Sequence, residues 1–324
     1  MNAYSSSILK PIKNYLKGLL RTNFRGIPSS ACSPVQCFIC GVADVQKIHA
    51  EGRLSVVQCR RCGLTYYTPQ PSPEALSHYY TSTDKSSYIA SRPEWKWQMT
   101  PEWEAQIQHE LASLETHWRL HHSPTAPIRF LELGSAYGYV LYVARQRGWD
   151  VTGIEPGTAQ VEITRKVVGT PVYNCTITEA APLLSPASYD IIYMSHVLEH
   201  TLNPLEVIQT AYQLARPGAI LVIYVPNGNG LQARHSFIEW EWSGFPDHLY
   251  FFGPNSLQMM LTQAGFIPER LWSCLGHSKH EPLFSLIRER LHLHPEEALD
   301  SIVDVLGQQC LLSDLRVIAR KPGG

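Results

Sequence analysis

The order of apolar and polar positions divides the chain into four stretches. In the first, Ile8, Ile12, Leu16 and Leu19 recur at helical spacing, and Lys10, Asn14, Lys17 and Arg21 fall on another face. This predicts a short amphipathic helix within residues 1–30. In the second, residues 33–72, the apolar runs Leu54–Gln58 and Leu64–Tyr67 read as short strands. In the third, residues 73–124, Trp103, Ile107, Leu111, Leu114 and Trp118 mark one buried helix face. Ser72-Pro73-Glu74 and Thr100-Pro101-Glu102 are helix starts with proline at the first helical position.

From residue 125 to 324, apolar runs alternate with helical patterns. Strands are predicted at Ile128–Leu133, Val151–Ile154, Pro171–Asn174, Tyr189–Met194, Ile220–Val225, Phe266–Leu275 and Leu312–Lys321. Helices are predicted after Gly138, from Asn203-Pro204, and over Pro254–Ala264 with Gly265 as the stop. Arg216-Pro217-Gly218 reads as a turn. A helical insertion over 280–308 separates the last two strands and suits an antiparallel final pair. The class is α/β.

Composition narrows the picture. The chain has 324 residues, 44% apolar and 17% charged, which permits a large core. Its longest apolar run, Ala219–Val225, is too short for a bilayer, which needs about 20 residues. A net charge of −1 argues against non-specific nucleic-acid binding by the whole surface. The charge is uneven: Lys10, Lys13, Lys17, Arg21 and Arg25 all precede the first acidic residue, Asp44. No apolar core of a secretory signal accompanies them. Three readings of this segment stay open: a helix docked on its own protein, a peripheral membrane or partner contact of residues 8–21, and organellar import. The default location is cytoplasmic.

The eight cysteines do not read as a secreted disulfide framework in a chain of this length. Four have metal-ligand spacing: Cys37-Phe38-Ile39-Cys40-Gly41 and, after 18 residues, Cys59-Arg60-Arg61-Cys62-Gly63. Two such pairs fit a closed tetrahedral zinc site on a small ribbon, with Cys37, Cys40, Cys59 and Cys62 as ligands. Such a site has no open position and is structural. The competing reading is four reduced core thiols. The aromatic stretch that follows, with Tyr79, Tyr80, Tyr88, Trp95 and Trp97, reads either as packing between ribbon and the next domain or as a lid with a tyrosine hydroxyl reaching a ligand.

The turn Gly134-Ser135-Ala136-Tyr137-Gly138 joins the first strand of the large domain to a helix, and Glu155 closes the second strand. Such a turn lets backbone approach a ligand, and the carboxylate fits a ribose diol. The turn alone serves dinucleotides and nucleosides alike.

The motifs LELGSAYG, TGIEP, SYDIIYMSHVLEH, LARPGAILVIYVPN and DHLYFFGPNSLQMMLTQAGF together decide the question. The stretch 125–324 resembles the class I S-adenosylmethionine-dependent methyltransferases, in the branch with a Glu-His signature after strand four. The preceding CFICG and CRRCGLTYYTPQPSPEAL resemble the zinc segment ahead of methyltransferases of sugars, glycan-related intermediates and other small natural products.

The resemblance implies a Rossmann-like sheet of seven strands in the order 3-2-1-4-5-7-6, preceded by a zinc ribbon and a helical adaptor. It implies S-adenosylmethionine as cofactor and a small-molecule acceptor. Glu132, Gly134, Ser135 and Gly138 would line the methionine moiety, and Glu155 would hold the ribose. Pro156 and Ile177, with Thr176 and Glu179, would flank adenine, and Ser195 opens strand four into the cleft. The third position of the family's Gly-x-Gly-x-Gly holds Ala136. A histidine near neutral pKa is the expected base, with His196, His200 and His248 as candidates. Glu199 either orients an imidazole or pins the following helix. The insertion Asn227–Phe245, with Arg234, His235, Trp240 and Trp242, is expected to cover the acceptor. Two other classes stay open: an RNA-base methyltransferase, and a non-catalytic module that binds S-adenosylmethionine. The oligomeric state stays open too.

Overall fold

The computed structural model describes residues 27–81, 99–122, 127–238, 240, 242–275 and 303–323. The basic segment 8–21, the aromatics Tyr88, Trp95 and Trp97, and residues 280–302 of the expected insertion lie outside these; residues 303–308 are helical.

The N-terminal part is built from β1 (Cys32–Ser33), β2 (Val45–Glu51), β3 (Leu54–Cys59), β4 (Thr65–Thr68) and β5 (Gln70–Pro71). Strands β2, β3 and β4 form an antiparallel meander, and β1 pairs with β5. The two cysteine pairs make matching turns. Gly41 N–H donates to Cys37 O over 2.8 Å, and Gly63 N–H donates to Cys59 O over 2.9 Å. Both glycines have positive φ, +65° and +76°, which a side chain would resist.

Two helices follow. In α1 (Pro73–Thr81) the Ser72 hydroxyl accepts from Ala75 N–H, and in α2 (Pro101–Arg119) the Thr100 hydroxyl accepts from Trp103 N–H, both over 3.2 Å. Each caps a helix whose first residue is proline, as the sequence predicts.

The main sheet comprises β6 (Arg129–Leu133), β7 (Asp150–Ile154), β8 (Val172–Tyr173), β9 (Tyr189–Ser195), β10 (Ala215–Pro226), β12 (Ile267–Cys274) and β13 (Asp314–Arg320). Their order is β8-β7-β6-β9-β10-β13-β12. The first five run parallel, and β13 lies antiparallel to both neighbours. This is the 3-2-1-4-5-7-6 order. Helices α3 (Tyr139–Gln146), α4 (Thr158–Val168), α5 (Ile177–Ala180), α6 (Pro204–Leu214), α7 (Leu231–His235) and α8 (Pro254–Gln263) connect the strands. The segment Arg216-Pro217-Gly218 is a bulged beginning of β10 rather than a free turn. Gly218 N–H donates to Lys321 O over 3.0 Å, which keeps it in the ladder.

Alternation along the strands sorts the core into two layers. Phe130, Ile191, Tyr193, Val222 and Tyr224 face α2, α3 and α4, where Leu111, Leu114, Trp118, Leu141 and Val161 pack. Leu131, Leu133, Ile192, Met194, Leu221 and Ile223 face α6 and α8, with Ile208, Leu257 and Leu261. Ribbon residues Leu64, Tyr66 and Tyr67 belong to this second layer. The joint is made by β11 (Tyr250–Phe251), which pairs antiparallel with β4 and so adds a fourth strand to the ribbon's sheet. The Tyr67 hydroxyl donates to Ser243 O, and Tyr67 N–H donates to Leu249 O.

Candidate active site

The parallel strands β6, β7 and β9 end side by side, and their C-terminal ends carry the residues singled out in the sequence. Ligands bind at this edge in open α/β sheets. The loop after β6 is fastened to β7: Gly134 and Ser135 N–H both donate to Ile154 O, over 2.8 and 3.0 Å. Gly134 has φ +72°, and a Cβ there would stand 2.5 Å from Val197 Cγ2. The loop is therefore pressed directly against the turn that follows β9.

Glu155 is buried at the end of β7. Its Oε2 accepts from Ala136 N–H over 2.9 Å, and its Oε1 accepts from Gly157 N–H over 2.8 Å. Burial raises its carboxyl pKa, against the lowering effect of these two amides. Each carboxylate oxygen keeps a further lone pair. Ala136 itself stands at φ +43°, in the left-handed region that alanine adopts only under strain. Glu132 is 5% exposed, and its Oε2 has no hydrogen-bond partner among the described residues; the same holds for Ser135 Oγ. Burial pushes the Glu132 carboxyl well above the ordinary range.

The other expected cofactor contacts take the following places. Pro156 is exposed at the approach to α4, and its carbonyl accepts from Asn174 Nδ2 over 2.9 Å. Ile177 is buried in the core. Glu179 closes a capping box with Thr176 at the start of α5, so both are engaged with the helix end. Ser195 is the last residue of β9, and Gly138 is the N-cap of α3.

A charged cluster follows β9. His196, at φ +54°, has Nδ1 3.3 Å from Glu199 Oε1 and Nε2 3.7 Å from Asp314 Oδ2. Burial alone would lower its pKa, but the two carboxylates raise it to about 10. Glu199 is fully buried; its burial penalty is outweighed by His196 and the neighbouring imidazoles, which hold it at about 2. His200 Nδ1 lies 2.6 Å from Asp247 O, and His248 Nδ1 lies 2.6 Å from Trp242 O. A carbonyl only accepts, so both Nδ1 atoms carry hydrogen and both Nε2 atoms keep their lone pair when neutral. Burial and the nearby His200 lower His248 to about 4. His200 Nε2 is 3.9 Å from Glu199 Oε1.

Trp242 stacks on two of these rings, with centroids 5.0 Å from His196 and 5.6 Å from His248. Trp240 is buried among Phe237 and Phe251, whereas Arg234 and His235 are exposed on α7. From α1, the Tyr80 hydroxyl donates to Asp247 O over 3.3 Å and lies 3.4 Å from His200 Nδ1. Asp314, 118 positions after His196, had no local signal in the sequence.

The ribbon's sulfur atoms form a second cluster. Those of Cys37, Cys40, Cys59 and Cys62 all lie within 4.8 Å of one another, and all four cysteines are unpaired. Cys37 and Cys62 share a hydrogen bond of 3.5 Å that lowers the Cys37 thiol to about 5 and raises that of Cys62. Among the described residues no helix is long and apolar enough to cross a membrane.

The methyltransferase-domain family model matches residues 103–270, more than half of the chain. The match begins within α2, the helix packed on the sheet. The ubiquinone biosynthesis O-methyltransferase of Saccharophagus degradans is 27% identical over 167 residues, covering 48% of this chain and 71% of that one. Its counterpart in Stutzerimonas stutzeri is 26% identical over 167 residues, covering 48% and 72%. Among solved structures, the 1,6-didemethyltoxoflavin-N1-methyltransferase of Burkholderia thailandensis is similar, with a TM-score of 0.51, 15% identity, and coverage of 86% of this chain and 99% of that one. The chain belongs to the methyltransferase-domain family and is an S-adenosylmethionine-dependent methyltransferase with the class I fold.

Proposed function

We propose that the protein transfers the methyl group of S-adenosylmethionine to a small-molecule acceptor by in-line displacement, with the acceptor's proton leaving at the Glu199–His200–His248 cluster. The observation that carries this reading is the closed arrangement at the ends of β6 and β7. A buried carboxylate, Glu155, grips the glycine-rich loop, while Glu132 Oε2 and Ser135 Oγ are buried there without partners among the described residues. The cofactor supplies an already activated methyl on a sulfonium. Glu132 and Ser135 face the need of its amino group for acceptors, and the free lone pairs of Glu155 suit the ribose hydroxyls. Val197 on Gly134 places the turn after β9 beside that loop.

With the methyl activated, holding the acceptor in line supplies most of the acceleration. His196, held protonated between Glu199 and Asp314, does not take the proton. It fixes the orientation of Glu199. Trp242 and Tyr80 border the cluster and form the wall against which an acceptor rests. The names of the relatives, ubiquinone biosynthesis O-methyltransferases, support a small-molecule acceptor.

Cys37, Cys40, Cys59 and Cys62 are proposed to hold one structural zinc. Four sulfurs within 4.8 Å, three of them buried, fit a closed site with no open position. The reading is tested by methyl transfer from radiolabelled cofactor to small-molecule and RNA fractions. Label in the small-molecule fraction is expected; label in RNA alone contradicts it.

A further inference from the structure

We propose that Glu199, His200 and His248 form a binding site for one divalent transition-metal ion that takes a hydroxyl of the methyl acceptor as a further ligand. The part concerning the acceptor rests on the methyl-transfer reading above. The part concerning the metal stands on geometry alone.

Three observations converge. First, one donor atom from each of the three side chains lies within 4.8 Å of the other two. A metal with bonds of about 2.0–2.2 Å holds its donors up to about 4 Å apart, so small side-chain rotations close the site. Second, both imidazoles are pre-set for ligation. Each gives its Nδ1 hydrogen to a backbone carbonyl at 2.6 Å, Asp247 O for His200 and Trp242 O for His248. Metal-bound histidines are held in this way, with the outer nitrogen tied to a carbonyl and the inner lone pair aimed at the ion. The two rings meet edge to face, with centroids 4.7 Å apart. Third, Glu199 is fully buried, and neither of its oxygens has a hydrogen-bond partner among the described residues. His196 stands on one side at 3.3 Å, in ion-pair range. Beyond that ion pair, both oxygens keep lone pairs open to a cation. Besides His196, the described imidazoles near it are His200, whose Nε2 lies 3.9 Å from Oε1, and His248, which has a ring nitrogen within 4.8 Å.

Two nitrogens and one carboxylate oxygen suit zinc, cobalt or manganese better than magnesium or calcium, which prefer all-oxygen sites. Three protein ligands leave positions open, unlike the four-cysteine cluster. A hydroxyl of the acceptor bound there loses its proton to water more readily. The resulting oxyanion forms a bond to the cofactor's methyl carbon as the carbon–sulfur bond breaks. The bonding pair returns to sulfur, giving the methyl ether and S-adenosylhomocysteine.

The test is titration of the full-length protein, its cysteine site filled with zinc, with cobalt(II) followed by visible absorption and by metal analysis after gel filtration. One further equivalent is expected, without the intense thiolate charge-transfer bands of a cysteine site. Glu199→Gln keeps the side chain's size and is expected to weaken uptake by at least roughly 100-fold, since even outer partners of a ligand change affinity by about 10–100-fold. Circular dichroism and S-adenosylhomocysteine affinity, measured on the same variant, separate loss of the ligand from loss of the fold. Should Glu199→Gln unfold, His248→Gln is read in the same way. No further equivalent in the folded wild type, or undiminished uptake in a folded variant, overturns the metal site. Intact S-adenosylhomocysteine binding in that case leaves the methyltransferase reading standing; loss of such binding by the wild type is the distinct failure of that reading.

Discussion

The backbone N–H of Ala136 donates to Oε2 of Glu155 over 2.9 Å, tying the loop after β6 to the carboxylate at the end of β7. The two cofactor-facing elements are thus one unit. Replacing Glu155 by alanine removes the proposed ribose acceptor and the loop's anchor together. Calorimetry with S-adenosylhomocysteine is expected to show affinity weakened by ~1.5–3 kcal/mol, the scale of lost charge-assisted hydrogen bonds. Unchanged affinity would place the ribose elsewhere.

The same residue sets a pH dependence. Burial raises the Glu155 carboxyl above the usual carboxylate range, so its protonated fraction appears at higher pH than for an exposed glutamate. The ionised form is the stronger acceptor for the loop amides and for the proposed ribose hydroxyls. Affinity for S-adenosylhomocysteine is therefore expected to fall as pH falls through that raised value. Glu155→Gln should flatten the profile; an identical slope in the variant would assign it to another group.

Ala136 and Gly134 respond in opposite directions. Ala136 is strained at φ +43°, and Ala136→Gly is expected to stabilise the fold by about 0.5–1 kcal/mol in urea unfolding. Gly134→Ala adds a methyl 2.5 Å from Val197 at φ +72°, and should reduce both stability and cofactor affinity. Equal tolerance of the two changes would mean that the loop is not held as described.

The four-cysteine cluster predicts a shared fate of ribbon and catalytic sheet. Cys59→Ser should lower zinc content by about one ion per chain. Because β11 pairs with β4, and Tyr67 with Leu249, loss of zinc should lower the melting temperature of the whole molecule in one transition. Unaltered melting with zinc removed would contradict the structural role.

His196 lies between two buried carboxylates, Glu199 and Asp314. Removing the cation leaves them facing each other unpaired, so His196→Gln is expected to destabilise by about 3 kcal/mol in urea unfolding. Adding Asp314→Asn should recover part of the loss. A single variant as stable as wild type would show that the pairs carry little.

The sheet was legible because its parallel strands are nearly continuous apolar runs, such as Ile128–Leu133 and Tyr189–Met194, separated by capped helices. The four cysteines and the Gly134–Gly138 turn were legible from spacing alone. What failed to show was contact between distant segments. Nothing near His196 announces Asp314, and nothing in Tyr250–Phe251 announces a pairing with Thr65–Tyr66 in the ribbon. Thr176 and Glu179 carry a second, local role that the sequence reading did not name, the capping box that starts α5. The Nδ1 bonds that orient His200 and His248 run to backbone carbonyls, which leave no mark in side-chain identity.

The central claim is that the loop at Gly134–Gly138 and Glu155 hold the cofactor of a methyltransferase. Calorimetric titration of the folded wild-type protein with S-adenosylhomocysteine tests it most directly. Saturable binding at about one site per chain is the result predicted from a single such loop in the sheet. No binding to folded protein would contradict it.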